Sequence, residues 1–229
     1  MCSSPSSLTS RSNPFASRFV RPGALAFRGV DGGAGAEQSS DEPQHNFAER
    51  LIARLREARC GVIVGNHGTG KSTLLRELAG PLDREMSGGV WVQLTQSHGY
   101  RETLNNVRTL GRLQRSVARG GVFVIDGAEQ VPRFLRSWIA HRCRRGGQFA
   151  LVTSHHELAG FETLYHTELS PELINELLGE LLAPEKNDID PALHTQLRNH
   201  LQTRDLREVS NLRDLWDELY DVAQAYSNY

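Results

Sequence analysis

Gly65-Asn66-His67-Gly68-Thr69-Gly70-Lys71-Ser72 is the stretch whose reading decides the fold of this chain. Cys60-Gly61-Val62-Ile63-Val64 runs apolar into it, and Thr73-Leu74-Leu75-Arg76-Glu77-Leu78 leaves it at helical spacing. The order is strand, glycine-rich loop, helix. Glycines let successive backbone N–H groups turn inward around phosphate oxygens, and a helix opening at Lys71 adds its positive dipole end to the same anion. The spacing G-x-x-x-x-G-K-S therefore assigns Gly65 to Ser72, with Thr73, to a phosphate cradle. Lys71 reaches the β- and γ-phosphates, and the Ser72 hydroxyl ligates Mg²⁺. Asn66, His67 and Thr69 hold variable positions and contribute backbone amides. Lys71 is one of two lysines against 24 arginines. A compact ammonium on a flexible stem fits where a planar guanidinium would crowd.

The same strand pattern recurs downstream. Val122-Phe123-Val124-Ile125-Asp126 places four bulky apolar residues before an aspartate, which describes a buried parallel strand with an acid at its carboxyl end. Asp126 is the candidate Mg²⁺ holder, and Glu129, three residues on, is the candidate carboxylate for polarising an attacking water. Between the two motifs, Val90 to Leu94 reads as a strand and residues 102 to 119 as a helix. On that helix Val107, Leu110, Leu113 and Val117 share one face, and Arg108, Arg112, Arg115 and Arg119 fall roughly opposite. A four-arginine stripe suits a nucleic-acid backbone. Without interleaved aromatics, a solvated face is the simpler reading.

Beyond Asp126, Val131-Pro132 opens a helix with Phe134, Leu135, Trp138 and Ile139, closed by the basic run His141 to Gly147. Phe149 to Ser154 is a further buried strand ending in hydroxyls, followed by His155 and His156, which read as polar loop residues near the site. A short fifth strand is expected at Tyr165 to Leu169. Ser170-Pro171, Asp190-Pro191 and Ser210-Asn211 each start a helix with an apolar stripe of leucines, making a small helical bundle. Upstream, Phe47, Leu51, Ile52 and Leu55 set an amphipathic helix over residues 46 to 58, whereas the loop helix is expected to end near Gly80-Pro81.

Residues 1 to 45 are rich in Ser, Gly and Pro and hold no acid before Asp31, so they read as disordered or loosely attached. They lack the amphipathic helix of a transit peptide. Asn13 to Phe27 carries enough aromatic and aliphatic residues to dock, and a strap across a nucleotide base or a neighbouring subunit is one reading. The expected organisation is a flexible segment 1–45, a nucleotide-binding domain 46–169 and a helical lid 170–229.

Composition bounds the function classes. A 229-residue chain with 38% hydrophobic and 23% charged residues has the make-up of a soluble α/β protein. No apolar run approaches the roughly 18 residues of a membrane span. Cys2, Cys60 and Cys143 have neither disulfide nor zinc spacing, and a reducing cytoplasm is the expected compartment. The net charge of −1 conceals a split: Arg50 to Gly146 holds 17 Lys and Arg against 7 acids, whereas Glu157 to Tyr229 holds 5 against 15. Such a split suits a basic core facing phosphates or nucleic acid, two oppositely charged surfaces that attract within or between subunits, or two solvated faces.

Taken together, the phosphate loop, the intervening strand, the acid-ended strand, the polar-ended strand, the short strand and the helical lid resemble the additional-strand P-loop ATPases, and within them the AAA+ and STAND-like group. The resemblance covers roughly residues 46 to 226. It implies a three-layer α/β fold with a parallel sheet of order 5-1-4-3-2, binding of ATP and Mg²⁺, and a nucleotide-dependent switch or assembly role with a protein partner or homo-oligomer. Matched to its motifs, Gly65, Gly68, Gly70, Lys71 and Ser72 form Walker A and Asp126 is the Walker B acid. Thr153 or Ser154 holds the sensor-1 place against the γ-phosphate. Arg213, in Ser210-Asn211-Leu212-Arg213, holds the sensor-2 place. The chain departs from the pattern where Gly127 replaces the glutamate that usually follows the aspartate, leaving Glu129 as the near carboxylate. It departs again between His155 and Leu164, which contain no arginine where a finger usually lies. A small-molecule kinase on the same loop, and a non-hydrolysing nucleotide-binding regulator or nucleic-acid adaptor, are the competing functions.

Overall fold

The computed structural model describes residues 13–16, 20, 21, 24, 25, 27, 42–94, 100–183 and 189–227, with the backbone alone for 42–46, 100–106 and 227. The expected looseness of residues 1–45 falls mostly outside these residues. In chain order the elements are α1 (Glu42–Ala58), β1 (Cys60–Gly65), α2 (Lys71–Glu85), β2 (Gly89–Gln93), α3 (Tyr100–Ser116), β3 (Val122–Asp126) and a 3₁₀ turn (Ala128–Gln130). There follow α4 (Arg133–Gly146), β4 (Phe149–Ser154), β5 (Glu162–Thr167), α5 (Pro171–Leu181), α6 (Pro191–Gln202) and α7 (Leu212–Ser227).

The five strands form one parallel sheet of order β2-β3-β4-β1-β5, which is the expected 5-1-4-3-2 read from the other edge. The near-continuous apolar strands β1, β3 and β4 take the three interior places, and β4 is buried along its whole length. The more polar β2 and β5 form the edges, β2 exposed at alternate positions and β5 at Glu162 and His166. Because side chains alternate across a strand, one register of residues serves each face. Val62, Val64, Phe123 and Ile125 pack beneath Leu110 of α3 and Ile139 of α4. Ile63 and Leu151 instead line a core with Leu51 and Leu55 of α1 and Leu78 and Leu82 of α2.

Several boundaries differ from the sequence reading; α1, for one, begins four residues before the expected start, at Glu42. Helix α2 passes through Pro81 to Glu85. Pro81 removes one backbone donor, yet burial of Leu82, 1% exposed, on the same core side as Leu78 holds the last turn in place. Helix α3 ends at Ser116, so Val117 and Arg119 lie in the following turn. Strand β5 begins three residues before the expected Tyr165, because it is Leu164, 3% exposed, that fills the core against Gly61 of β1. Helix α7 begins at Leu212, with Asn211 outside as its cap: the Asn211 side-chain oxygen accepts from Arg213 N at 3.0 Å.

Two compact units make up the chain: Gly29–Asn66 with Gly70–Glu168, and Met1–Arg28 with His67–Thr69 and Leu169–Tyr229. The first contains the sheet. In the second, Ser170 and Asp190 cap α5 and α6, accepting from Leu173 N at 3.1 Å and Ala192 N at 2.8 Å. Its core is built from Ile174, Leu178, Leu193, Leu197, Leu215 and Leu219. Phe15 belongs to this core: its ring is 2% exposed and stacks on Trp216 with centroids 5.8 Å apart. Asn13 donates to the Tyr220 carbonyl at 3.3 Å and accepts from Phe15 N at 3.0 Å, which fixes the turn that delivers the ring. The docking residue is thus in place as read, but its seat is this helical core and not a nucleotide base.

Candidate functional site

Strand β1 delivers the chain to Gly65, and α2 starts at Lys71, so five residues make the loop between strand end and first helical turn. Gly68 and Gly70 have φ of +71° and +92°, in the left-handed region that glycine enters without a Cβ penalty. At Gly68 space is also lacking: an added Cβ would fall 1.8 Å from the Asn211 side-chain oxygen of the same unit. Gly70 brings no side-chain cap to α2, and no acid stands in the helix's first turn. The positive end of α2 is thereby left to an external anion.

Lys71 folds its ammonium back over the loop, donating to the carbonyls of Gly65 and Asn66 at 2.6 Å each. Burial pushes the Lys71 ammonium below its ordinary value, and the charges of Glu129 and Asp126 pull it back. Both carboxylates therefore act on the same ammonium through their charge. The loop after β1 and the turn after β3 meet at the carboxyl ends of parallel strands, where open α/β sheets form their crevice.

Asp126 is oriented from β4. Thr153, 1% exposed, donates its hydroxyl to Asp126 Oδ1 at 2.7 Å and accepts from Gly127 N at 2.8 Å. The Thr153 hydroxyl proton is thus directed at Asp126. Ser154, fully buried, accepts from His156 N at 3.2 Å.

Gly127 has a structural reason. Its φ is +90°, and an added Cβ would stand 3.1 Å from the Leu94 carbonyl oxygen. A glutamate directly after Asp126 would be strained at that backbone conformation. The chain instead turns through Ala128–Gln130, which brings Glu129 back toward the loop. Glu129 Oε1 lies 3.4 Å from His155 Nε2, and its Oε2 is buried without a hydrogen-bond partner. A buried carboxylate oxygen left open in this way is ready for a water or metal-bound donor.

His155 is the residue whose role the sequence reading missed. Its Nδ1 lies 3.1 Å from the Gly65 carbonyl, and a carbonyl only accepts, so Nδ1 carries the proton. Nε2 faces Glu129 Oε1, which also only accepts, so the ring bridges phosphate loop and carboxylate when both of its nitrogens carry protons. The signal lay in strand register: Val64 pairs with Ser154, so the residue after β4 arrives level with Gly65. Pairing partners cannot be read from one strand alone.

Two further sets of candidates are arginines. Arg213 is an exposed residue in the first turn of α7, in the helical unit. Arg108, Arg112, Arg115 and Arg119 are exposed on α3 and the turn after it. Among the described residues, no three His, Cys, Asp or Glu side chains could hold a metal ion by themselves. No helix among them is long and apolar enough to cross a membrane.

No family model matches the chain, and no curated protein matches it. Among solved structures, it is similar to the RuvB Holliday junction branch migration motor of Thermotoga maritima, at 15% identity and a TM-score of 0.44 over 78% of this chain and 69% of that one. It is also similar to PCH-2 of C. elegans, at 13% identity and a TM-score of 0.38 over 84% of this chain and 71% of that one. These are distant likenesses, and the assignment of fold rests on this chain's own strand order and its strand–loop–helix junction. The chain has a P-loop NTPase-like α/β fold, with β4 as the added strand between the phosphate-loop strand β1 and the acid-ended strand β3.

Proposed function

We propose that this chain binds Mg·ATP on the loop Gly65–Thr73 and hydrolyses it slowly, serving as a nucleotide-dependent switch. The observation that carries this reading is the glycine loop between β1 and α2, with the Lys71 ammonium folded over its carbonyls beside a helix end that has neither cap nor acid. The residues present fit the group. Lys71 and the first-turn amides of α2 would hold the phosphates, and Ser72 and Asp126 would hold Mg²⁺, which supplies charge neutralisation at the terminal phosphoryl group. The want of a complete all-protein metal cluster among the described residues agrees with an ion that takes phosphate oxygens as ligands.

Thr153 fixes the rotamer of Asp126 through its hydroxyl. Glu129 accepts a proton from water at its open Oε2, while His155 holds the other oxygen and ties the carboxylate to the loop carbonyl of Gly65. The assignment of Arg213 to the terminal phosphate is supported by the segment Ser210 to Arg213 alone.

Isothermal calorimetry and phosphate release test the reading. Lys71→Ala/Ser72→Ala should abolish Mg·ATP binding, and retained micromolar affinity ends the proposal. Glu129→Gln should lower turnover by roughly 10²–10⁴-fold with binding kept. Unchanged turnover would move the general base elsewhere. Phosphate transfer that requires an added acceptor would replace the ATPase reading by a kinase.

A further inference from the structure

The helices α3 and α4 lie side by side over the sheet and share the core of that face. Their outer sides carry a feature the linear sequence did not show. Trp138 of α4 stands between two guanidiniums, Arg115 of α3 at 5.9 Å and Arg142 of α4 at 6.0 Å from its ring centroid. One turn earlier on α4, Phe134 is 69% exposed. The arginine stripe that lacked aromatic neighbours within its own helix thus acquires them from the next one.

The electrostatics of this face are one-sided. No acid occurs from residue 103 to 125 or from 130 to 156, so the described parts of both helices contribute arginines without a carboxylate. Arg108, Arg112, Arg115 and Arg142 are all exposed. On α4 itself, burial first and then the neighbouring Arg133 hold Arg136 below its ordinary value, against the opposing charge of Glu129. An extended polyanion relieves such repulsion, and one with flat apolar faces also uses the exposed ring.

We propose that the α3–α4 face binds single-stranded nucleic acid, with Arg108, Arg112, Arg115 and Arg142 on phosphates and Phe134 stacking on a base. From Arg108 to Arg115 the helix advances about 10 Å, long enough to follow a stretch of phosphate backbone. An acidic protein segment would satisfy the charges but leave Phe134 without a partner, whereas every nucleobase presents a π-face. Trp138 orients Arg115 and Arg142 through its ring and is a positioning residue here. The surface lies outside the phosphate loop, and the proposal is independent of nucleotide hydrolysis.

Fluorescence anisotropy of the full chain, without nucleotide, with a labelled mixed-sequence 30-mer as DNA and as RNA, tests this. The same sequence as duplex and a polyglutamate of matched charge serve as competitors. Single-strand binding should weaken as salt rises. Arg112→Gln/Arg115→Gln/Arg142→Gln should cut affinity at least tenfold and lower the slope of log K on log salt by about 2. Phe134→Ala should weaken single-strand binding about tenfold and leave duplex binding unchanged. Phe134→Trp should retain it. These residues are exposed or half-exposed, and circular dichroism melts confirm folding of each variant. The proposal is overturned if neither strand binds at low salt, if the triple variant binds like the parent, or if Phe134→Ala changes nothing. It is equally overturned if polyglutamate competes as well as the unlabelled single strand, which would identify an acidic protein as the occupant.

Discussion

A single hydroxyl sets the geometry of the acid at the end of β3. Thr153 stands between the Asp126 carboxylate and the Gly127 amide, all within the sheet's buried edge of the crevice. Thr153→Val keeps the shape but leaves both polar groups without that partner, and should destabilise the sheet unit by about 1–3 kcal/mol in urea unfolding. A shift in midpoint below 0.3 kcal/mol equivalent would mean that solvent replaces the hydroxyl, contrary to its 1% exposure. Gly127 belongs to the same scale. Its positive φ explains why the carboxylate expected next to Asp126 appears two residues later, on a turn that faces His155.

At the scale of elements, α2 is the informative case. The helix continues past Pro81 because Leu82 is buried, so it carries a backbone defect that packing offsets. Pro81→Ala restores the missing donor and removes the ring's clash with the preceding turn, while loosening the unfolded chain. The expected net effect is a gain of about 2 kcal/mol, read as a higher urea midpoint at unchanged slope. Loss of stability on this change would show that the proline ring packs better than the restored helix. The pair α3 and α4 makes a complementary point. Each helix alone is an arginine-bearing amphipath, and only their adjacency sets Trp138 between Arg115 and Arg142.

At the scale of the molecule, the second unit is closed by a residue from the opposite end of the sequence. Phe15 contributes its ring to a core otherwise made by α5, α6 and α7. Phe15→Ala should destabilise this unit by about 3–5 kcal/mol. In hydrogen exchange the α7 amides around Trp216 should lose protection, while β1, β3 and β4 keep theirs. Undisturbed α7 protection would show that the helices close without it. The charge split has a structural address as well. Exposed arginines concentrate on α3 and α4 of the sheet unit, whereas the excess of acids from Glu157 onward runs into the helical unit.

The sequence by itself determined the local chemistry: the loop from Gly65 to Ser72, the apolar strands ending at Asp126 and Ser154, and the caps Ser170 and Asp190. Each of these depends on residues a few positions apart, where periodicity, turn preference and capping act directly. Strand order followed from the resemblance these motifs carry. Tertiary structure alone decided the company that distant residues keep. The continuation of α2 through Pro81 depends on a core assembled from α1, α2 and the sheet. The bridge from Gly65 through His155 to Glu129 depends on β1 pairing with β4, and Phe15 meets Trp216 across 201 positions of chain. Such contacts leave no periodic trace, because the burial and hydrogen bonding that enforce them come from partners brought together only by the fold.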